Sequence, residues 1–265
     1  MKEDKMNDMQ ATPSLAGRVA IITGGGQGIG RVFAKGFAAA GAKVGIVELN
    51  EEKGQSVATE VDQQSGPGTA ISIQADVADP AAVEAAVAAV ANKFGRLDIA
   101  INNAAIFSTL KMRGFEEIPF DEWSAVMRVN VDGVMLVSKA CVPLMRAQKH
   151  GRIINISSGV VTMGRPFYLH YVTSKAAVVG MTRAMAREVG TDGITVNAIL
   201  PGATFTEVER ETVSAEQKSQ ILNMQCIKRH ETPEDLLASA LYLASDGGGF
   251  VTGQSIAIDG GTTFR

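Results

Sequence analysis

The stretch RVAIITGGGQGIGRVFAKGFAAAG, residues 18–41, decides the fold. A run rich in Val and Ile enters a cluster of glycines, and an alanine-rich amphipathic segment leaves it. Glycines at 24, 25, 26, 28 and 30 let the backbone turn tightly and come close to a ligand. The helix that follows points its first amides and its dipole at an anion. The spacing is Gly24-x-x-x-Gly28-x-Gly30, which departs from GxGxxG, and Arg31-Val32 stands where a P-loop would carry Lys-Ser/Thr. Nucleoside triphosphate chemistry is therefore disfavoured. Glycines also serve plain turns with positive φ; the strand before and the helix after select the dinucleotide reading. Its candidate contacts in the turn are Gly24, Gln27, Gly28, Ile29 and Gly30.

Outward from this unit, short apolar runs alternate with amphipathic ones. KVGIVE, AISIQA, DIAINN, RIINIS, TVNAIL and SIAID read as further buried strands. Between them PAAVEAAVAAVANKFG and DEWSAVMRVNVDGVMLVSKACVPLM read as helices. Seven strands alternating with helices predict an α/β fold: a Rossmann-type, doubly wound, seven-stranded parallel sheet with helices on both faces. No linker or repeat divides it, so residues 15–265 are expected to be a single dinucleotide-binding and catalytic domain. Residues 1–14, polar and punctuated by Pro13, are expected to be a mobile tail. The segment 203–229 fits the alternation least and lies where a substrate lid would sit.

Composition narrows the function. Of 265 residues, 46% are apolar and 20% charged, a core-forming balance. A net charge of −3 gives no electrostatic footprint for nucleic acid or an anionic membrane. There is no apolar run long enough to span a bilayer and no signal peptide in MKEDKMNDMQ, so a soluble cytoplasmic protein is expected. Cys141 and Cys226 lack CxxC spacing, and His150, His170 and His230 are scattered, so no metal site is expected.

Glu48 ends the second strand 18 residues after Gly30, near where an acid binds ribose hydroxyls. A 2′-phosphate there would meet like-charge repulsion of several kcal/mol before screening, for ~5 Å and an effective dielectric of about 20. Gln27 and Leu49 offer no compensating cation, and Lys43 and Lys53 lie on a strand start and a helix, so NAD is favoured over NADP. Asp76 could accept from the adenine amino group or cap a helix.

YVTSK, residues 171–175, puts Tyr171 and Lys175 on one helix face. An ammonium ~4.5 Å from a phenol, at an effective dielectric of about 20, favours the phenolate by roughly 3–4 kcal/mol. Desolvation opposes this, and an oxidised nicotinamide ring would be a second cation that helps. Ser158 follows the strand RIINIS, 13 residues before Tyr171. Alone, Ser157 or Ser158 would serve as a cap or turn residue. Asn130 is an amide inside an apolar helix, where hydrogen bonding to backbone is its ordinary role. His170 invites a Ser–His reading, but there is no GxSxG elbow, so it is read as a pocket wall.

In order, TGGGQGIG (23–30), DV (76–77), NNAA (102–105), Asn130, ISS (156–158), YVTSK and PGATFT (201–206) resemble the single-domain branch of the short-chain dehydrogenase/reductase family. The resemblance runs from about Gly17 to Gly261. It implies that Tyr171 is the general acid/base and that Lys175 binds the nicotinamide ribose and lowers the tyrosine pKa. Ser158 would steady the substrate oxygen, and Asn130 would hold a water that relays protons to Lys175. Asp76 and Val77, and Asn103, Ala104 and Ala105, would border the adenine half; Pro201, Gly202 and Thr206 would contact the nicotinamide end. NNAA stands where the family usually has NNAG, an added methyl expected to tighten packing. The resemblance also implies strand order 3-2-1-4-5-6-7 and a homotetramer built through the helices after Asp121 and from Tyr171 and the last strand.

The expected reaction interconverts a secondary alcohol and a ketone with NAD(H). Phe107, Val160, Val161, Met163, Phe167, His170 and Phe205 would form a pocket for a small hydrophobic or aryl substrate, as in the 1-phenylethanol dehydrogenase-like members that LHYVTSKAA resembles. The rival enzyme is a 3-oxoacyl-carrier-protein reductase using NADPH. A non-catalytic nucleotide-sensing scaffold is the other rival, and it would have little use for the Asn/Ser/Tyr/Lys set.

Overall fold

The computed structural model describes residues 14–208 and 215–264. The opening stretch forms β1 (Val19–Thr23) and α1 (Gly28–Ala39), followed by β2 (Lys43–Glu48), α2 (Glu51–Ser65), β3 (Ala70–Gln74), α3 (Pro80–Phe94) and β4 (Ile99–Asn102). Then come α4 (Phe120–Met127), α5 (Gly133–Gln148), β5 (Gly151–Ile156), α6 (Val160–Met163), α7 (Leu169–Val189) and β6 (Ile194–Pro201). The chain ends with α8 (Ala215–Met224), α9 (Pro233–Ala244) and β7 (Ser255–Ile258). The expected tail falls almost wholly outside the described residues, as do residues 209–214 of the expected lid.

The strands form one seven-stranded sheet in the order β3-β2-β1-β4-β5-β6-β7. Every pairing is parallel, with Ile22 opposite Ile46 and Ile101 and with Ile154 opposite Ile101 and Asn197. The fold is thus the expected single-domain, doubly wound α/β arrangement. Strand order reverses between β1 and β4, which opens a crevice beyond their C-terminal ends.

Alternation along the buried strands feeds two cores. On one face Ile22, Ile46 and Ile154 pack with Phe33 and Phe37 of α1 and Leu236 of α9. On the other, Ile21, Ala100 and Ile153 pack with Val87 of α3, Met145 of α5 and Val189 of α7. Each fully buried side chain of this size contributes about 1.5–3 kcal/mol of transfer free energy. Gly45 lets α3 cross β2 closely: a β-carbon there would stand 2.3 Å from Val90 Cγ2.

Helix ends follow local chemistry. The Asp79 side chain accepts from the Ala81 and Ala82 amides, Pro80 opens α3, and Gly95 closes it at φ +78°. Thr232 and Asp235 form a capping box at α9, with Pro233 as its first residue. The expected helix over 121–145 differs in one respect: a π turn at Arg128–Asp132 joins α4 to α5. Asn130 stands at the middle of that turn. Its Oδ1 accepts from Ile106 N at 2.8 Å and its Nδ2 donates to Ile106 O at 3.2 Å, so one side chain grips a loop at the point where the helix is widened.

Candidate active site

The crevice is a cleft of about 820 Å³ lined from Glu48 at one end to Met163 and Met224 at the other. The glycine turn lies beneath the first end. Gly24 and Gly28 have φ of +61° and +56°, the left-handed region that glycine tolerates. Gly30 is required for a different reason: a β-carbon there would stand 2.1 Å from Gly24 O. Gly24, Gln27, Gly28 and Ile29 line the cleft, while Gly30 packs beneath the turn. Asn103 braces the turn by donating from Nδ2 to Thr23 O and Gly24 O, each at 3.0 Å. Ala104 Cα would be 2.9 Å from a β-carbon on Gly24, so the floor is built from backbone packed on backbone.

Glu48 Oε2 accepts from Gly26 N at 3.0 Å, which fixes a carboxylate at the rim of the turn. Lys53 reaches the same rim, where Nζ donates to Gln27 Oε1 at 2.6 Å. Its place on α2 therefore does not keep it away, contrary to the sequence reading. Asp76 lines the cleft beside Val77, and its Oδ1 accepts from Ala78 N at 2.9 Å, a turn-capping contact. Ala105 is exposed on the cleft wall, so its methyl does not tighten the packing.

At the other end, Ser158, Tyr171 and Lys175 are brought together. All three are buried and line the cleft. Tyr171 and Lys175 lie one turn apart on α7, with Lys175 Nζ 5.7 Å from the Tyr171 ring centre and donating to Ile156 O at 2.8 Å. Burial pulls the Lys175 ammonium down to about 8. Ser157 Oγ donates to Lys175 O at 2.8 Å and ties the β5 end to α7. Ser157 and Ser158 both line the cleft; the Ser157 hydroxyl is committed to Lys175 O, while Ser158 Oγ accepts from Val160 N at 3.4 Å. Asn130 does not line the cleft; its Nδ2 also donates to Ser174 Oγ, which donates to Tyr171 O. Asn130 thus braces the tyrosine's own helix turn.

Phe107, Val160 and Met163 line the cleft, and Phe107 stacks 4.7 Å from the Tyr171 ring. Val161, Phe167, His170 and Phe205 do not. Phe167 has a left-handed backbone, φ +64°, and its ring is exposed. His170 precedes Tyr171 on the helix and so points about 100° away. It is buried, with Nε2 3.2 Å from Glu122 Oε1 of α4. Phe205 packs on the His230 ring at 4.3 Å.

Two acids escaped the sequence reading. Glu231 is buried; its Oε1 accepts from Thr204 Oγ1 at 2.6 Å and its Oε2 from Gly202 N at 3.0 Å. Burial pushes its carboxyl up to about 7, aided by Asp235 and Asp259 and opposed by those two hydrogen bonds. Glu207 Oε1 accepts from Gly28 N at 3.0 Å at the N-terminus of α1. Although burial opposes it, the Gly28 amide and Arg31 hold Glu207 below the usual carboxylate range. No local signal marks either acid, since Glu231 meets residues 27 and 29 positions away and Glu207 one 179 away.

The geometry suits a dinucleotide. Backbone floors the turn where side chains would obstruct, helix amides face the anion position, and the cleft runs continuously to the tyrosine. Among the described residues no cluster of three potential metal ligands occurs, and no helix is long and apolar enough to cross a membrane.

A family model described as enoyl-(acyl carrier protein) reductase matches residues 24–263. A 3-oxoacyl-[acyl-carrier-protein] reductase of Synechocystis is 36% identical over 94% of this chain and 98% of its own. A D-threitol dehydrogenase of Mycolicibacterium smegmatis is 32% identical, with 95% of each chain covered. The crystal structure of a Brucella melitensis 3-ketoacyl-(acyl-carrier-protein) reductase complexed with NADH superposes with a TM-score of 0.88 at 33% identity, covering 95% of this chain and all of that one. The chain belongs to the short-chain dehydrogenase/reductase family of oxidoreductases.

Proposed function

We propose that this protein is a cytoplasmic NAD(H)-dependent oxidoreductase that interconverts a hydrophobic or aryl secondary alcohol and its ketone, with Tyr171 as the acid/base. The observation that carries the reading is the meeting of Ser158, Tyr171 and Lys175 in the cleft that Glu48 and the glycine turn border at its other end. When bound, the nicotinamide supplies or accepts the hydride at the carbinol carbon. Pro201, Gly202 and Thr206 line the cleft between the two ends and would hold the nicotinamide half. In the reducing direction Ser158 donates a hydrogen bond to the carbonyl oxygen, and Tyr171 transfers its phenolic proton to that oxygen. The Lys175 ammonium steadies the phenolate that remains. In the oxidising direction the phenolate takes the hydroxyl proton. Asn130 acts behind this set by holding the Ser174–Tyr171 helix turn. The water that the family resemblance assigns to it would complete proton return to Lys175.

The loop from 203 to 208 and α8 border the same cleft and support a substrate-lid role for the 203–229 segment. Exposed Phe120, Met135 and Leu169 on α4, α5 and α7 support association of copies into a homotetramer. A second reading, reduction of a 3-oxoacyl thioester with NADPH, is favoured by the identity to reductases of that name; Glu48 weighs against its cofactor. The test is loss of the reduced-nicotinamide absorbance with NADH and with NADPH, against aryl ketones, β-keto esters, steroids and sugars. Turnover of an aryl ketone with NADH is expected. No turnover with any ketone overturns the reading.

A further inference from the structure

At the substrate end Phe107, Met112, Val160 and Met163 make the cleft wall largely apolar, and one guanidinium stands among them beside Ser108 and Ser158. Arg165 is half-buried beside Phe107, Met112, Val160 and Met163. Among the described residues, only Arg165 and Lys175 bring cationic side chains to this cleft. Lys175 is committed, with its Nζ on Ile156 O beneath the tyrosine. Arg165 has no carboxylate within ion-pairing distance among the described residues; Arg128, Arg152, Arg183 and Arg187 share that condition but do not line the cleft, whereas Arg18, Arg31, Arg96, Arg113, Arg146 and Arg229 are paired. Its polar contact is weak: Nη2 lies 3.9 Å from Met112 Sδ. A guanidinium carries five N–H donors in a planar fork matched to an oxyanion, and sulfur is a poor acceptor for them.

The group is nonetheless held in place. Arg165 Cζ sits 5.0 Å from the centre of the Tyr168 ring, a cation–π contact. Tyr168 is itself buried, donates from its hydroxyl to Leu110 O at 3.3 Å, and meets the Tyr171 ring edge-on at 6.2 Å. One buried aromatic ring therefore separates a fixed, unpaired cation from the proposed acid/base.

We infer that Arg165 receives an oxyanion on the substrate, and that the preferred substrate is a keto acid or the matching hydroxy acid: an apolar body between the reacting carbonyl and a carboxylate. The inference rests on the proposed alcohol–ketone reaction and narrows its substrate. Ion pairing in a partly dry wall orients the carbonyl toward Tyr171 and Ser158, while the apolar side chains accept the body between.

The test compares a 4-aryl-4-oxobutanoate with its methyl ester, in wild type, R165M and R165K, with NADH. An acyl-phosphopantetheine thioester is the third arm, because its phosphate is an oxyanion far from the carbonyl. Wild type should favour the acid over the ester in kcat/KM. R165M should lower that acid-to-ester ratio by roughly ten- to a hundred-fold, the range for a charge-assisted hydrogen-bonded pair. The loss should lie mainly in KM for the acid, and R165K should fall between. NADH binding and the melting temperature report whether each variant is folded; R165K supplies the comparison if R165M is not. An unchanged ratio in folded variants overturns the inference while leaving the oxidoreductase reading intact. A thioester that depends on Arg165 more than the acid does would overturn the keto acid assignment. Absence of turnover with acid, ester and thioester alike overturns both.

Discussion

The proposed preference for NAD rests on Glu48, and replacing it with Gln should move that preference by a calculable amount. The carboxylate is fixed by Gly26 N at 3.0 Å, and a β-carbon on Gly26 would already be 2.7 Å from Glu48 Cγ, so the side chain has little room to withdraw. A phosphate on the neighbouring ribose hydroxyl would place its charge ~5 Å away, about 3 kcal/mol per unit of charge at an effective dielectric near 20. Glu48 is partly exposed, and salt at the cleft mouth screens it. Lys53 at the same rim offsets a further part. A surviving difference of about 1.5–3 kcal/mol corresponds to roughly ten- to a hundred-fold. Wild type should therefore use NADH better than NADPH by about that factor in kcat/KM, and Glu48→Gln should remove most of it. The amide oxygen can still accept from Gly26, so the turn itself should persist. Measuring kcat/KM for both cofactors at low and high salt checks the cause, since the preference should shrink as salt rises. A wild type that prefers NADPH, or a Gln variant with an unchanged ratio, would refute the reasoning.

Three other substitutions test separate links. Tyr171→Phe should lower kcat by a thousand-fold or more, because a general acid contributes about 10²–10⁴ and its removal also leaves the carbonyl oxygen without a proton source; NADH affinity by fluorescence should stay within a few-fold. Glu231→Gln tests the buried acid: with the folded carboxyl at about 7 and the unfolded one near 4.5, the native state holds the extra proton between these values. Wild-type stability from this group is thus present below about pH 4.5 and lost as pH rises through about 7, so melting curves should show the Gln variant gaining on wild type, by up to roughly 3 kcal/mol, from pH 5 to pH 8. A gap independent of pH would show that Glu231 is ionised throughout. Gly30→Ala should abolish cofactor binding in calorimetry, since the new carbon meets Gly24 O, a backbone atom that cannot swing aside; ordinary affinity in that variant would mean that the turn is looser than drawn.

What was legible in the chain was local, and what was not depended on direction or distance. Glycine spacing, strand periodicity and the four-residue step from Tyr171 to Lys175 each fix geometry within a turn or two, and the structure reproduces them. Adjacency misled at the pocket wall. His170 is next to Tyr171 in sequence but faces α4, and Phe167 turns outward through a left-handed backbone. Composition of a segment tells which side chains are near the cleft, not which enter it. The loop over 201–208 is the sharper case, because its PGATFT motif marks a place beside the nicotinamide end but gives no role to its one acid, Glu207. In space Glu207 lies on the first helical amide of the glycine turn, while Glu231 fastens Gly202 and Thr204 from just before α9. Both contacts set a carboxylate against a backbone N–H, but only the Gly28 amide stands at the N-terminus of α1. An anion bound there and Glu207 would draw on one donor, a relation that no residue in the loop expresses by itself.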